Sequence, residues 1–87
     1  KLRKGSKEVL AMDYRKAILD KEATSIRLRF LRIKANLTHD RLAALLQLNT
    51  SRVIYDWECA KKMPNVENLY NLALIFNMKM EDLLVTK

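Results

Sequence analysis

Apolar residues recur three and four positions apart along most of this chain, the spacing of one face of an α-helix. Leu10, Tyr14, Ala17 and Ile18 share such a face, so Val9–Leu19 is predicted as a first helix, with no clear capping residue at its start. Lys1–Lys7, ahead of it, is polar and basic, holds the only glycine, and reads as a flexible arm. The next helix is predicted over Thr24–Ala35, capped by Thr24 or Ser25. It carries two apolar stripes, Leu28, Leu31 and Ala35 on one side and Ile26, Phe30 and Ile33 nearly opposite. The first stripe faces a core. The second is either covered by the Val9–Leu19 segment, the preferred reading, or offered to a partner subunit. Arg27 and Lys34 lie on one flank between the stripes, Arg29 and Arg32 on the other.

Thr38 is a good N-cap for a short amphipathic helix containing Leu42, Ala43, Leu45 and Leu46. Gln47-Leu48-Asn49 makes a brief turn. Thr50 then caps a helix running to about Cys59, with Val53, Ile54 and Trp57 as its apolar members. A basic loop, Ala60–Asn65, is closed by the only proline, Pro64. Two further helices are predicted, one over Val66–Phe76 and a short last one over Glu81–Val85. Met80, Leu83 and Leu84 would face inward there.

Length and composition narrow the class. With 87 residues the chain suits one small domain. A single glycine and a single proline disfavour an all-β fold, which needs many turn residues. The expectation is therefore an all-α domain over residues 22–87, preceded over residues 1–21 by a basic arm and a candidate extra helix. One cysteine, Cys59, and one histidine, His39, make an internal disulfide impossible and a structural zinc site implausible. No cofactor is expected. No apolar run approaches a membrane span, and no secretion segment is visible near the start, so a cytoplasmic location is expected. The chain begins at Lys1 rather than methionine, which leaves room for a trimmed or tag-derived start. It ends three residues after the last clear apolar pair, which leaves room for a larger protein continuing beyond Lys87. A further domain or a regulatory protein is a candidate partner.

The charge changes the picture more. Seventeen basic and ten acidic residues leave a net charge of +7, which suits nucleic acid, an anionic membrane or an acidic protein. The unit Thr38–Glu58 selects among these. Two short helices so close together cross steeply, and the second stands proud of the domain. Such a helix fits the major groove of B-DNA, about 12 Å wide. Its outer face carries Ser51, Arg52, Tyr55 and Asp56, the candidate base-reading residues. Arg52 can grip guanine through two hydrogen bonds. Asp56 either accepts from cytosine or holds Arg52, four residues earlier; the second role is slightly preferred. Tyr55 can pack on a thymine methyl or bond a phosphate. Thr38, His39, Thr50, Lys61 and Lys62 are candidate contacts to the DNA backbone. Thr38 and Thr50 also serve plainly as caps, and the two lysines have a solvated loop as their alternative.

These residues carry a resemblance. Thr38-His39-Asp40-Arg41-Leu42-Ala43, Trp57-Glu58, Lys61-Lys62, Pro64, Leu69–Ala73, Phe76 and Glu81-Asp82-Leu83-Leu84 stand in register with the helix-turn-helix domains of phage repressors, Cro proteins and the Xre class of bacterial regulators. The similarity covers about Thr24–Val85. It implies a five-helix, lambda-repressor-like core that binds a double-stranded DNA operator, commonly as a homodimer, most often to repress transcription. His39 replaces a glutamine that bonds the phosphate backbone in the family. Glu58 matches a glutamate that pairs with an arginine of the family's first helix, for which Arg32 is the partner here. Arg32, Trp57 and Glu58 are thus read as structural.

The sequence also departs from the pattern. Gln47-Leu48 lacks the usual turn glycine, one extra residue stands near Leu48-Asn49-Thr50, and Cys59-Ala60 replaces a residue-glycine pair. Asn49 is the expected left-handed residue, and the base-reading register carries a one-residue margin. Candidate dimer surfaces are the Ile26/Phe30/Ile33 stripe, the Pro64–Tyr70 region and the last helix. The alternative function is a protein-interaction or antitoxin-like module on the same fold, which Asp40, Asp56 and Glu58 near the DNA face support. Catalysis is disfavoured, because no nucleophile, base and acid set is discernible.

Overall fold

The structure, a computed structural model, describes residues 14–87. Among these residues are four α-helices, α1 (Lys21–Lys34), α2 (His39–Leu45), α3 (Arg52–Glu58) and α4 (Val66–Phe76), followed by a 3₁₀ turn, η1 (Met80–Leu83). The domain is all-α with a helix-turn-helix at its centre.

Three side-chain caps define where the helices begin. Asp20 accepts from the backbone N–H of Ala23 at 3.0 Å, Thr38 from that of Arg41 at 3.0 Å and Asn65 from that of Asn68 at 2.8 Å. α1 therefore starts three residues ahead of Thr24, and neither Thr24 nor Ser25 caps it. Both are buried inside the helix. The Thr24 hydroxyl accepts from the Val85 N–H at 3.0 Å and donates to the Val85 carbonyl.

The helices end alike. Asn36, Gln47, Ala60 and Asn77 all have φ between 56° and 62°. In each case the left-handed residue and its successor bond back to the last turn. The pairs are Asn36 N to Ile33 O and Leu37 N to Arg32 O; Gln47 N to Ala44 O and Leu48 N to Ala43 O; Ala60 N to Trp57 O and Lys61 N to Asp56 O; Asn77 N to Leu74 O and Met78 N to Ala73 O. This reverse turn satisfies carbonyls that a helix end leaves free. In the turn before α3 the left-handed residue is Gln47 and not Asn49, because it directly follows the C-cap of α2.

Leu28, Leu31, Leu42, Ala43, Ile54, Trp57, Leu72, Ala73 and Leu83 form the core, with Ile54, Leu72 and Leu83 the most deeply buried. α1 packs on α3 and η1, α2 on α3, and α4 on η1. Ala35 and Leu45 turn to solvent instead of joining the core stripes. The second stripe of α1, Ile26, Phe30 and Ile33, is exposed.

Two predicted elements differ. The arm Lys1–Lys7 and the first part of the Val9–Leu19 helix, up to residue 13, lie outside the described residues. Tyr14–Leu19 is not helical: Leu19 forms an isolated antiparallel bridge with Thr86. Asp20 N donates to Val85 O, and Lys87 N to Ile18 O, both at 2.8 Å. The predicted last helix, Glu81–Val85, is instead the 3₁₀ turn Met80–Leu83, after which Leu84 is extended with ψ 141°. One cause accounts for both departures. The ends of the domain pair with each other, and a helix in either would withdraw the backbone groups that the pairing uses.

Candidate nucleic-acid interface

α2 and α3 are held together by a buried polar clasp. Glu58, at the end of α3, has a side chain 7% exposed. Arg32 of α1 donates to it twice, Nε to Oε2 at 2.7 Å and Nη2 to Oε1 at 3.2 Å. Arg32 spends a third donor on the Leu37 carbonyl at 2.9 Å. The His39 Nε2 at the start of α2 lies 3.0 Å from Glu58 Oε1. Three helices thus meet at one carboxylate, and the pairing offsets the desolvation that an isolated buried charge would suffer. Beside the clasp, the indole of Trp57 is buried in the core.

α3 begins on a second hydrogen-bond pattern. The Thr50 hydroxyl accepts from the Arg52 N–H at 3.2 Å. Ser51 is already in a helical conformation and makes no side-chain cap bond. Its carbonyl accepts from the N–H groups of Ile54 and Tyr55. Ile54 and Trp57 point into the core, so the opposite face of α3 is presented outward.

That face borders a shallow, open depression lined by Thr50, Ser51, Arg52, Tyr55, Asp56, Cys59 and Lys61. Arg52 has a side chain 73% exposed, with Nε 3.6 Å from Asp56 Oδ1, which is only 17% exposed. Tyr55 is half exposed, and its ring stacks on His39 with centroids 3.8 Å apart and planes 15° from parallel. The structure therefore brings Ser51, Arg52, Tyr55, Asp56, Thr50 and Lys61 to one surface. Thr38 lies at the start of α2, His39 lies behind Tyr55, and Lys62 is exposed in the loop after α3. Two residues not singled out from the sequence join them. Cys59 follows Tyr55 by four positions, a helical spacing that could have placed it on this face. Arg29 of α1 lines a neighbouring hollow with His39, Tyr55, Glu58 and Cys59, a juxtaposition created by packing alone.

Chemically, the surface offers an exposed guanidinium, a phenol ring, small hydroxyls and an exposed ammonium. It holds no converging catalytic set, and among the described residues no three His, Cys, Asp or Glu side chains are grouped to hold a metal ion. Among those residues no helix is long and apolar enough to cross a membrane.

No protein-family model matches the chain, and no curated protein matches it. Solved structures do. The chain is similar to the P22 c2 repressor protein, solved in complex with a synthetic operator, at 26% identity and a TM-score of 0.65, over 70% of this chain and 91% of that one. It is also similar to the restriction-modification controller protein C.AhdI from Aeromonas hydrophila, at 25% identity and a TM-score of 0.66, over 74% of this chain and 96% of that one.

Proposed function

From a helix-turn-helix fold shared with a repressor and a controller protein, we propose that this domain binds double-stranded DNA sequence-specifically and regulates transcription, as a repressor. α3 enters the major groove, with Ser51, Arg52, Tyr55 and Asp56 toward the base edges and Thr38, Thr50, Lys61 and Lys62 toward the backbone. η1 takes the place of the fifth helix of the lambda-repressor-like core. The observation that carries the reading is the outward face of α3, with an exposed Arg52 guanidinium on a rigid, clasped helix, in a fold shared with a repressor solved on its operator.

The domain acts as a homodimer, and α4 supplies the contact. Val66, Tyr70 and Leu74, four residues apart, are each more than half exposed along one flank of the helix, beside the buried Ala73. α4 contains no lysine or arginine, so two copies of this face meet without the repulsion that the +7 net charge imposes elsewhere. The Ile26/Phe30/Ile33 stripe lies among Arg27, Arg29 and Lys34 and suits self-pairing less well.

A protein-interaction module on the same fold is the second reading. It is favoured by that α1 stripe and by Asp56 engaging Arg52. Selection of random duplexes at about 0.15 M salt separates the two. Enrichment of a palindrome with half-sites about 34–36 Å apart, preferred by about 10³-fold or more over a scrambled duplex, is the expected result. Weak binding without sequence preference, lost as salt rises, would refute operator binding and leave the interaction reading.

A further inference from the structure

His39 has two engagements, and both lead to α3. Its Nε2 lies 3.0 Å from the Glu58 carboxylate, and its ring lies flat on Tyr55 at 3.8 Å. Glu58 is also gripped by Arg32, which bonds both carboxylate oxygens, including the Oε1 that faces His39, and whose side chain is only 8% exposed. The contacts run in series from a buried guanidinium to a carboxylate, an imidazole and a phenol ring. Each removes a freedom from the next. The bond to Glu58 restrains the rotation of the imidazole, and the imidazole plane sets the plane in which Tyr55 can stack. Tyr55 is 49% exposed, and an unsupported aromatic side chain there would sample several rotamers. Here one of its faces is covered, and the side chain still borders the depression that contains Arg52.

We propose that His39 is a positioning residue for DNA reading. It holds Tyr55 in one orientation on α3, so that preference for the base pairs beneath Tyr55 depends on a histidine that touches no base. The inference rests on the operator-binding reading and deepens it. It differs from the direct phosphate contact that the family resemblance assigns to this position: His39 Nε2 faces Glu58, and the ring acts on Tyr55.

The test compares His39→Gln, which keeps a polar group but no ring, with His39→Phe, which keeps the ring but loses the bond to Glu58. Tyr55→Leu first locates the base pairs that depend on Tyr55. In the DNA-free protein, His39→Gln should shift the Tyr55 ring resonances by NMR. Duplex selection should then show preference at the Tyr55-dependent positions falling about two- to ten-fold, the range expected for loss of an aromatic stack. Other positions should keep their preference. His39→Phe should retain part of what His39→Gln loses. The double variant His39→Gln/Tyr55→Leu should fall no further at those positions than Tyr55→Leu alone.

The role is overturned if His39→Ala, which removes both the ring and the polar group, weakens all duplexes equally with its preference profile intact, as loss of a backbone ligand would. It is overturned too if Tyr55→Leu leaves every preference unchanged. If the unmodified protein selects no sequence, operator binding fails and this role fails with it. If the unmodified protein selects a sequence that His39→Gln reads unchanged, only the role of His39 fails.

Discussion

Ala60 and Gln47 hold left-handed backbone angles, φ 62° and 57°, that a Cβ atom opposes. The crowding costs roughly 1–2 kcal/mol per residue, and asparagine, as at Asn36 and Asn77, bears it better than alanine or glutamine. Glycine removes the crowding but adds freedom to the unfolded chain, an offset of roughly 0.4–1 kcal/mol. Ala60→Gly and Gln47→Gly should therefore each stabilise the domain by about 0.5–1 kcal/mol, raising the melting temperature by a few degrees. Asn36→Gly should gain less. Thermal melts of the three variants would decide it, and a drop in melting temperature for Ala60→Gly would contradict the strain assignment. Two neighbouring buried hydroxyls make a second contrast. Thr24 Oγ1 bonds both backbone groups of Val85, whereas Ser25 Oγ has no partner. Thr24→Val leaves the Val85 N–H unpaired, while the Val85 carbonyl still accepts from Asp20 N, and should cost about 1–3 kcal/mol; Ser25→Ala should be neutral or stabilising. Equal losses in urea titrations of the two variants would show that the hydroxyl pairing does not matter.

Among the elements, α3 is joined to α1 and α2 by charge as well as by packing. Glu58→Ala would strand Arg32 in a site where its side chain is only 8% exposed. Losing one partner of a buried pair costs about 3–5 kcal/mol. That is a large share of the roughly 5–15 kcal/mol by which small domains are stable. Arg52, though also paired with a carboxylate, is largely exposed, so Arg52→Ala should change stability by less than about 1 kcal/mol. The two substitutions separate folding from reading. Arg52→Ala should flatten sequence preference in a protein whose urea midpoint moves little, and Glu58→Ala should lower the midpoint by far more. A selected motif that survives Arg52→Ala would mean that a different register of α3 faces the bases. The α4 face has its own test. Tyr70→Lys and Leu74→Glu should shift the protein toward monomer in sedimentation velocity, with the individual fold retained, because both positions are more than half exposed. Dimers persisting in both variants would place the contact elsewhere.

For the whole molecule, the excess of seven positive charges sets how binding responds to salt. If α3 lies in the groove, Lys61→Ala and Lys62→Ala should weaken all duplexes about equally and reduce the slope of log affinity against log salt by about one each. Affinities measured from low to moderate salt would show this, and a sequence-dependent loss would turn either lysine into a base reader. The pairing of the ends belongs to this scale too. Leu19, Asp20 and Ile18 meet Thr86, Val85 and Lys87 through backbone bonds. Side-chain periodicity carries no trace of such bonds.

Much of the fold is legible in the order of residues because helices are local. The span Val66–Phe76, the Thr38 cap and the inward set Leu42, Ala43, Ile54 and Trp57 follow from spacing and from one hydroxyl at the right place. The outward set Ser51, Arg52, Tyr55 and Asp56 is simply the remainder of the α3 face. Contacts between distant residues were decided only in three dimensions. Asp20, rather than Thr24, starts α1, because Thr24 is drawn inward to a carbonyl sixty-one residues away. The Tyr14–Leu19 segment and the tail give up helix to pair with each other. His39 comes to lie between Glu58 and Tyr55 because α2 and α3 cross where they do. The sequence by itself determined the four central helices and the apolar side of each, since both depend on neighbours three and four positions away. Tertiary structure alone decided which polar groups meet, since a buried donor takes whatever acceptor the packing sets beside it.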